Sequence, residues 1–273
     1  MRPRLSRVDG VSDGVAVRPR SYVAVRGPDA ESLLQRMLSN DVSGGLCDAL
    51  LLTPKGRVIA PLRVWRRGEG DFLLLTEPGL GVAVRDVLLR ARFASRCEIE
   101  LEEHTSVVVF GEPPVVEGIP NPDYGRPAVE LLDAELEPTL GEDELEALRI
   151  LAGTPRVGRE IDERVLPAEA GLVERAVSFT KGCFPGQEPI ARLHYRGHVK
   201  RTLRLLEVDG EEPPPPETEV VHEGKAVGRV TSSARSGDRL VALAYVRVEV
   251  PEDAEVTVGE APARPLAAAR PSA

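Results

Sequence analysis

The segment Lys181-Gly182-Cys183-Phe184-Pro185-Gly186-Gln187-Glu188 gathers a thiol, an ammonium, two glycines and a carboxylate in eight residues. That density is not background composition. The chain has three cysteines, Cys47, Cys97 and Cys183, and four lysines, Lys55, Lys181, Lys200 and Lys225, while arginine supplies the rest of its positive charge. A thiol near a helix N-terminus and an ammonium is biased towards thiolate, the form that attacks electrophiles and binds metals. On this reading Cys183 is the reactive group, Lys181 its activator, and Gln187, Glu188 and Arg192 shape the turn; Gly182 and Gly186 let backbone come close to a ligand. The competing reading makes Cys183 a small buried hydrophobe in a tight turn. A hydrolytic dyad would need a histidine base and an orienting partner, and nothing in the sequence puts His104, His194, His198 or His222 beside the thiol.

Directly after this segment come Arg192, Arg196, Lys200, Arg201 and Arg204, with His194 and His198 interleaved. Such a strip is either a solvated face or a site for a small anion beside Cys183. The 273 residues carry a formal charge of -9, which argues against a direct nucleic-acid partner, since that needs a broad basic face. Three widely spaced cysteines without a C-x-x-C pair suggest no disulfide framework, no zinc site and a reducing compartment. Met1 to Gly10 is charged without an apolar stretch, and no run approaches the ~20 apolar residues of a membrane helix. The reading is a cytoplasmic protein without a metal site or a membrane partner.

The elements that must position these residues follow from periodicity. Tyr22 to Arg26 alternates as a strand, and Gly27-Pro28 opens a helix with Pro28 in its first position. In that helix Ala30, Leu33, Leu34, Met37 and Leu38 form one stripe. Ala49 to Thr53, Arg57 to Trp65 and Asp71 to Thr76 read as an antiparallel meander, followed by a helix from about Gly81 to Arg92 and strands at Cys97 to Glu102 and Thr105 to Phe110. Glu112 to Pro127 is a loop, Ala128 to Asp133 a strand, and Glu142 to Ala152 a helix stopped by Gly153. Ala176 to Thr180 reads as a strand leading into a helix over Pro185 to Tyr195. From Thr202 the pattern is nearly all β, with a loop at Pro213 to Pro216, and Ala261 to Ala273 reads as a disordered tail.

The cysteine segment, extended through Ile190-Ala191-Arg192 and Arg196-Gly197 to Lys200-Arg201, resembles the K-G-C-[FY]-x-G-Q-E signature of the YgfZ family, folate-binding proteins related to the glycine cleavage T-protein. The similarity reaches Arg149-Ile150, Ala152 to Pro155, Leu166-Pro167, Gly27 to Ala30 and Asn40 to Val42. It implies an α+β, three-domain T-protein/YgfZ-like cloverleaf around a central folate cavity, with a C-terminal antiparallel β-barrel. The expected divisions are 1–48 plus 105–195 as the folate-binding domain, 49–104 as an inserted domain, 198–260 as the barrel and 261–273 as the tail. The resemblance also implies tetrahydrofolate as cofactor and partnership with iron-sulfur client or assembly proteins, with an indirect effect on tRNA modification. Three cysteines cannot supply the four thiolates of an all-cysteine cluster within one chain.

An aminomethyltransferase, or another folate-dependent one-carbon transferase, is the alternative. In T-proteins the stretch corresponding to Gly56-Arg57-Val58-Ile59-Ala60-Pro61-Leu62 looks like G-G-x-x-D-D-L, with an aspartate that assists one-carbon transfer. Ala60 and Pro61 stand in those places and neither can hold a proton. Pro167-Ala168-Glu169-Ala170-Gly171-Leu172 resembles the T-protein P-x-E-A-G-L segment, making Glu169 the pterin candidate, and Arg196 aligns approximately with a folate-contacting arginine. The single tryptophan, Trp65, does not fall where some YgfZ proteins use tryptophan to hold folate.

Overall fold

The computed structural model describes residues 7–8, 11–111 and 118–269. Among the described residues there are five helices: α1 (Ala30–Met37), α2 (Gly81–Arg92), α3 (Glu142–Leu151), α4 (Val173–Ala176) and α5 (Gln187–Arg196). The chain forms two compact units, one of residues 19–105 and 161–199, the other of residues 1–18, 106–160 and 200–273. Strand Ser21–Arg26 explains why this grouping departs from the expected boundaries. It is hydrogen-bonded between Asp71–Thr76 and Glu98–Glu102, so it joins the meander instead of residues 105–195.

The first unit is built on an antiparallel sheet in the order Leu46–Leu52, Val58–Gly68, Asp71–Thr76, Ser21–Arg26, Glu98–Glu102. Side chains alternate across a sheet, so successive residues of one strand serve different cores. Ala49 and Leu51 pack with Leu33 and Leu34 of α1 and Val84 and Leu88 of α2. Leu50 and Leu52 face the other way, against Ala176, Val177, Phe184 and Ile190. The cysteine segment is thus held by a buried apolar layer on the second face of the sheet.

In the other unit a closed barrel runs Arg201–Val208, Arg239–Arg247, Lys225–Ser236, Glu219–His222, Val256–Val258, Ala261–Leu266. A smaller sheet has the order Ile119–Pro120, Ala128–Leu132, Ser106–Phe110, Val15–Val17. α3 is two-sided: Ala147 and Ile150 pack on barrel residues Leu205, Val241 and Leu243, while Leu145 and Leu148 pack with Ala16, Val108 and Phe110. Between these cores lies a buried ion pair. Arg149 grips both carboxylate oxygens of Glu146, at 2.9 and 2.5 Å, and also reaches Glu160 at 3.0 Å. Glu160, fully buried, accepts from Ser232 Oγ at 2.5 Å and the Arg156 N–H at 3.0 Å, and its carbonyl accepts from Tyr245 OH at 2.7 Å.

Three local expectations are corrected. α1 starts at Ala30, not at Pro28, because the carboxylate of Asp29 is turned to the N–H and guanidinium of Arg96, at 2.7 to 3.3 Å. Ala176 to Thr180 is not a strand: α4 takes Ala176, and the Ser178 hydroxyl then accepts from the N–H groups of Thr180 and Lys181, at 3.4 and 3.3 Å. A serine side chain competing for backbone in this way breaks the ladder that the alternation suggests. The supposed tail supplies Ala261–Leu266, which pairs with Arg201–Val208 and Val256–Val258 and so closes the barrel. Its composition suggested disorder, yet the carbonyls of its prolines remain acceptors, and Asp209 N–H donates to Pro262 O at 2.9 Å. The ends of the expected amino-terminal, loop and tail segments, at residues 1–6, 9–10, 112–117 and 270–273, lie outside the described residues.

Removing one member of a buried ion pair strands the other charge, whereas replacing both with apolar groups often costs little. Glu160→Leu is therefore expected to lower stability by roughly 3–5 kcal/mol, and Arg149→Met combined with Glu160→Leu to recover much of that loss, as read by urea unfolding.

Candidate functional site

The cysteine segment is tied down before its thiol is reached. At the end of α1 the chain turns through Ser39 and Asn40. Ser39 Oγ donates to Ala176 O at 2.5 Å while accepting from Leu50 N–H at 2.7 Å, and Ser39 O accepts from Ser178 N–H at 2.9 Å. Asn40 Nδ2 reaches Asp48 O at 2.7 Å and Arg175 O at 3.3 Å. The Asp48 carboxylate takes Arg63 Nε at 3.0 Å and also the Arg175 guanidinium. Sequence reasoning missed Ser39, Asp48, Arg63 and Arg175, since no local pattern links a strand residue to a helix more than a hundred positions away.

Lys181 completes this joint. Its Nζ donates to the carbonyls of Gln35, Leu38 and Asn40, at 2.8, 2.7 and 2.9 Å. An ammonium has three protons, and all three are committed to the end of α1, where the helix dipole also favours a cation. The same ammonium lies 5.6 Å from the Phe184 ring centroid. Burial pulls Lys181 down to about 8, opposed by the charges of Asp41 and Cys47. Lys181 is therefore a clamp between α1 and the motif, not a donor to Cys183. The thiol it does influence electrostatically is Cys47, pushed up to about 12 by burial first and then by the charges of Asp48 and Asp41.

Cys183 is free and exposed, which removes the buried-hydrophobe reading. It sits between two anchors, the buried Phe184 on one side and the half-buried Lys181 on the other. The tight turn beyond it depends on Gly186, which caps α5 with φ 82°. A Cβ there would lie 2.5 Å from Thr53 O and 3.0 Å from Gly56 Cα. The close approach anticipated for a ligand is thus made at Gly186 by the chain's own Thr53–Gly56 turn, while Gly182 faces open space.

The remaining candidates divide by exposure. On α5, Gln187 is half-buried, while Glu188, Arg192 and Arg196 are exposed, and Glu188 lies in the first turn, where the dipole favours an anion. His194 stacks on Phe179 at 4.2 Å, with Tyr195 edge-on to both. Glu169 is buried, and its Oε2 accepts from Leu166 N–H at 3.0 Å, so part of its carboxylate holds its own turn. Ala60 is fully buried among Leu62, Val64 and α1 side chains, and Pro61 pairs with Leu50 on the neighbouring strand. Trp65 is half-buried opposite Leu46. Among the described residues no three His, Cys, Asp or Glu side chains are grouped to hold a metal ion, and no helix is long and apolar enough to cross a membrane. A depression of about 290 Å³ in the barrel, lined by Asp209, His222, Glu255 and Arg264 among others, includes none of the candidate residues.

Two substitutions test the joint. Lys181→Met should cost ~1–3 kcal/mol at neutral pH by leaving carbonyls unmet and leave the alkylation rate of Cys183 unchanged. The ammonium's pKa is depressed in the fold from its ordinary 10.5 to about 8, so across that window the unfolded chain binds the extra proton. Wild-type stability then gains from this group as pH rises from about 8 towards 10.5, and Lys181→Met loses that slope in urea titrations. Gly186→Ala should cost ~1–3 kcal/mol through a strained φ alone, and more through its collision with Thr53, in the same assay.

Residues 201–272 match the model of the CAF17 C-terminal beta-barrel domain. The "tRNA-modifying protein YgfZ" of Vibrio vulnificus is 26% identical, the match covering 76% of this chain and 72% of that protein. An "Aminomethyltransferase" of Moorella thermoacetica is 28% identical over 78% of this chain and 71% of its own length. Among solved structures, the glycine cleavage system aminomethyltransferase T of Bartonella henselae superposes with a TM-score of 0.77 at 19% identity, covering 96% of this chain and 92% of that one. The mixed helix-and-sheet architecture is therefore the T-protein fold, with the closed six-strand barrel at its C-terminal end. The barrel model, the YgfZ relatives and the T-protein fold agree, and the chain is similar to T-protein-like proteins of the YgfZ/CAF17 family.

Proposed function

We propose that this protein binds tetrahydrofolate and serves iron-sulfur proteins as an assembly or repair factor in the cytoplasm, with Cys183 as its reactive thiol and tRNA modification affected only indirectly. The observation that carries this reading is the free, exposed thiol of Cys183, fixed between the Lys181 clamp and the buried Phe184. A cysteine needed only for packing would be covered. Relatives named YgfZ and the T-protein fold support the folate half.

The donor set suits a reduced folate. A pterin presents N–H groups along one edge, for which the carboxylate of Glu169 is an acceptor, and the glutamyl tail carries carboxylates suited to the exposed guanidiniums of Arg192 and Arg196. Bound folate would supply a one-carbon carrier, and the residues proposed here only hold it. Gln187 and Glu188 shape the first turn of α5 and so keep Cys183 and Arg192 on one short segment.

A folate-dependent one-carbon transferase is the second reading, favoured by the relative named an aminomethyltransferase. Against it stand Ala60 and Pro61, which offer no acid or base. Alanine at 60 lies wholly within an apolar core, where an ionised carboxylate would be costly.

Calorimetric titration with 5-formyltetrahydrofolate, a reduced folate stable to air, tests the ligand. Micromolar binding by the wild type is expected, weakened about tenfold or more in Glu169→Gln, since a hydrogen bond to a charged acceptor is worth ~1.5–3 kcal/mol. Glutamine keeps an oxygen for Leu166 N–H, so the turn survives. No heat at high micromolar ligand sinks the folate reading. For the thiol, Cys183→Ser should fail to restore iron-sulfur enzyme activity in a deletion strain, and full restoration would remove the thiol from the function.

A further inference from the structure

α2 is apolar on two sides. Its inner side, Val84 and Leu88 with Val87 and Ala91, packs into the core against α1 and the sheet. At about 100° per residue, Val82, Leu89 and Phe93 fall together on the opposite side, and they are 50, 39 and 88% exposed. A surface helix needs one apolar stripe, and its outer side is ordinarily polar. Phe93 is doubly unusual because it follows the helix at φ 45°, ψ -120°, a backbone region that suits glycine and strains a residue with a side chain. Holding a phenylalanine there, almost fully in water, does nothing for the fold.

The border of this stripe is basic. Between Gly81 and Arg96 lie Arg85, Arg90, Arg92 and Arg96, of which Arg96 is paired with Asp29, against the single acid Asp86 within the segment, in a chain whose net charge is -9. Arg85 spends Nε and Nη2 on Asp86, at 3.0 and 2.8 Å, and Arg90 is exposed. We propose that the outer face of α2 docks an acidic amphipathic helix of a partner protein, whose apolar side chains cover Val82, Leu89 and Phe93 while its carboxylates meet Arg90 and Arg85. Charge complementarity selects this occupant. A second copy meeting the same face about a two-fold axis would set arginines against arginines.

The test uses a designed amphipathic helical peptide with leucines on one face and glutamates elsewhere, and a counterpart with lysines in place of the glutamates. Added to the isotope-labelled full chain, the glutamate peptide should shift backbone amide resonances within residues 82–96, and the lysine peptide should not. Phe93→Gly combined with Leu89→Gln should abolish these shifts without lowering the thermal midpoint, since neither side chain belongs to the core of this unit and glycine relieves the φ. The proposal is overturned by an absence of shifts at millimolar glutamate peptide, or by equal shifts with both peptides. It is equally overturned by a dimer in sedimentation that the double variant dissolves, by co-sedimentation of the protein with phosphatidylserine vesicles through this face, or by a marked fall in the double variant's thermal midpoint.

Discussion

A partly buried ammonium must find an acceptor for each of its protons, and the arrangement of the cysteine segment depends on how Lys181 meets that demand. Its three carbonyls belong to Gln35 in the last turn of α1, to the C-cap Leu38 and to Asn40 just beyond it, where the helix end leaves carbonyls without intrahelical partners. One side chain therefore answers two needs, its own desolvation and the open end of α1. The consequence is geometric: a motif far along the chain is locked to a helix near its beginning, and Cys183 inherits a fixed position two residues from the lock.

The five-stranded sheet makes this possible by serving two cores with one strand. Ala49 and Leu51 bind it to α1 and α2, while Leu50 and Leu52 bind it to Ala176, Phe184 and Ile190. The Ser39, Asn40 and Asp48 hydrogen bonds run around its edge and satisfy polar groups that the second layer would otherwise bury unpaired. The meeting of Gly186 with the Thr53–Gly56 turn lets α5 start close against the same sheet. The thiol stays outside all of this, and that contrast between a rigid frame and an exposed reactive atom is what the functional reading rests on.

The fold is shared with an aminomethyltransferase, but a fold does not carry an activity. At the two positions where the T-protein pattern has aspartates, this chain has an alanine sealed in a core and a proline paired across a strand. The same scaffold thus exposes a thiol at Cys183 and has no carboxylate at positions 60 and 61, which is why the proposed function places its chemistry on sulfur. The apolar outer face of α2 lies on the same compact unit, so the proposed docking face and the thiol belong to one unit of sheet and helices.

Much of this was legible in the sequence. The stripe of α1, the full span of α2 and the strand Asp71–Thr76 follow from periodicity, because burial on one face imposes a repeat that neighbouring residues reveal. The density of Lys181 to Glu188 marked the candidate functional segment, and the alanine and proline at 60 and 61 weakened the transferase reading. What a repeat does not carry is which distant backbone a polar group will choose. Lys181 looked like a partner for the cysteine beside it in sequence, yet it bonds carbonyls more than a hundred residues away; Pro28 looked like the first residue of a helix that starts at Ala30, after an Asp29 turned to Arg96; a proline-bearing tail became the strand that closes a barrel. Local pattern determined which residues are apolar, helical or chemically dense. Only the tertiary structure decided how each buried charge and open backbone group was satisfied, because those partners are set by packing in space and leave no trace at short range along the chain.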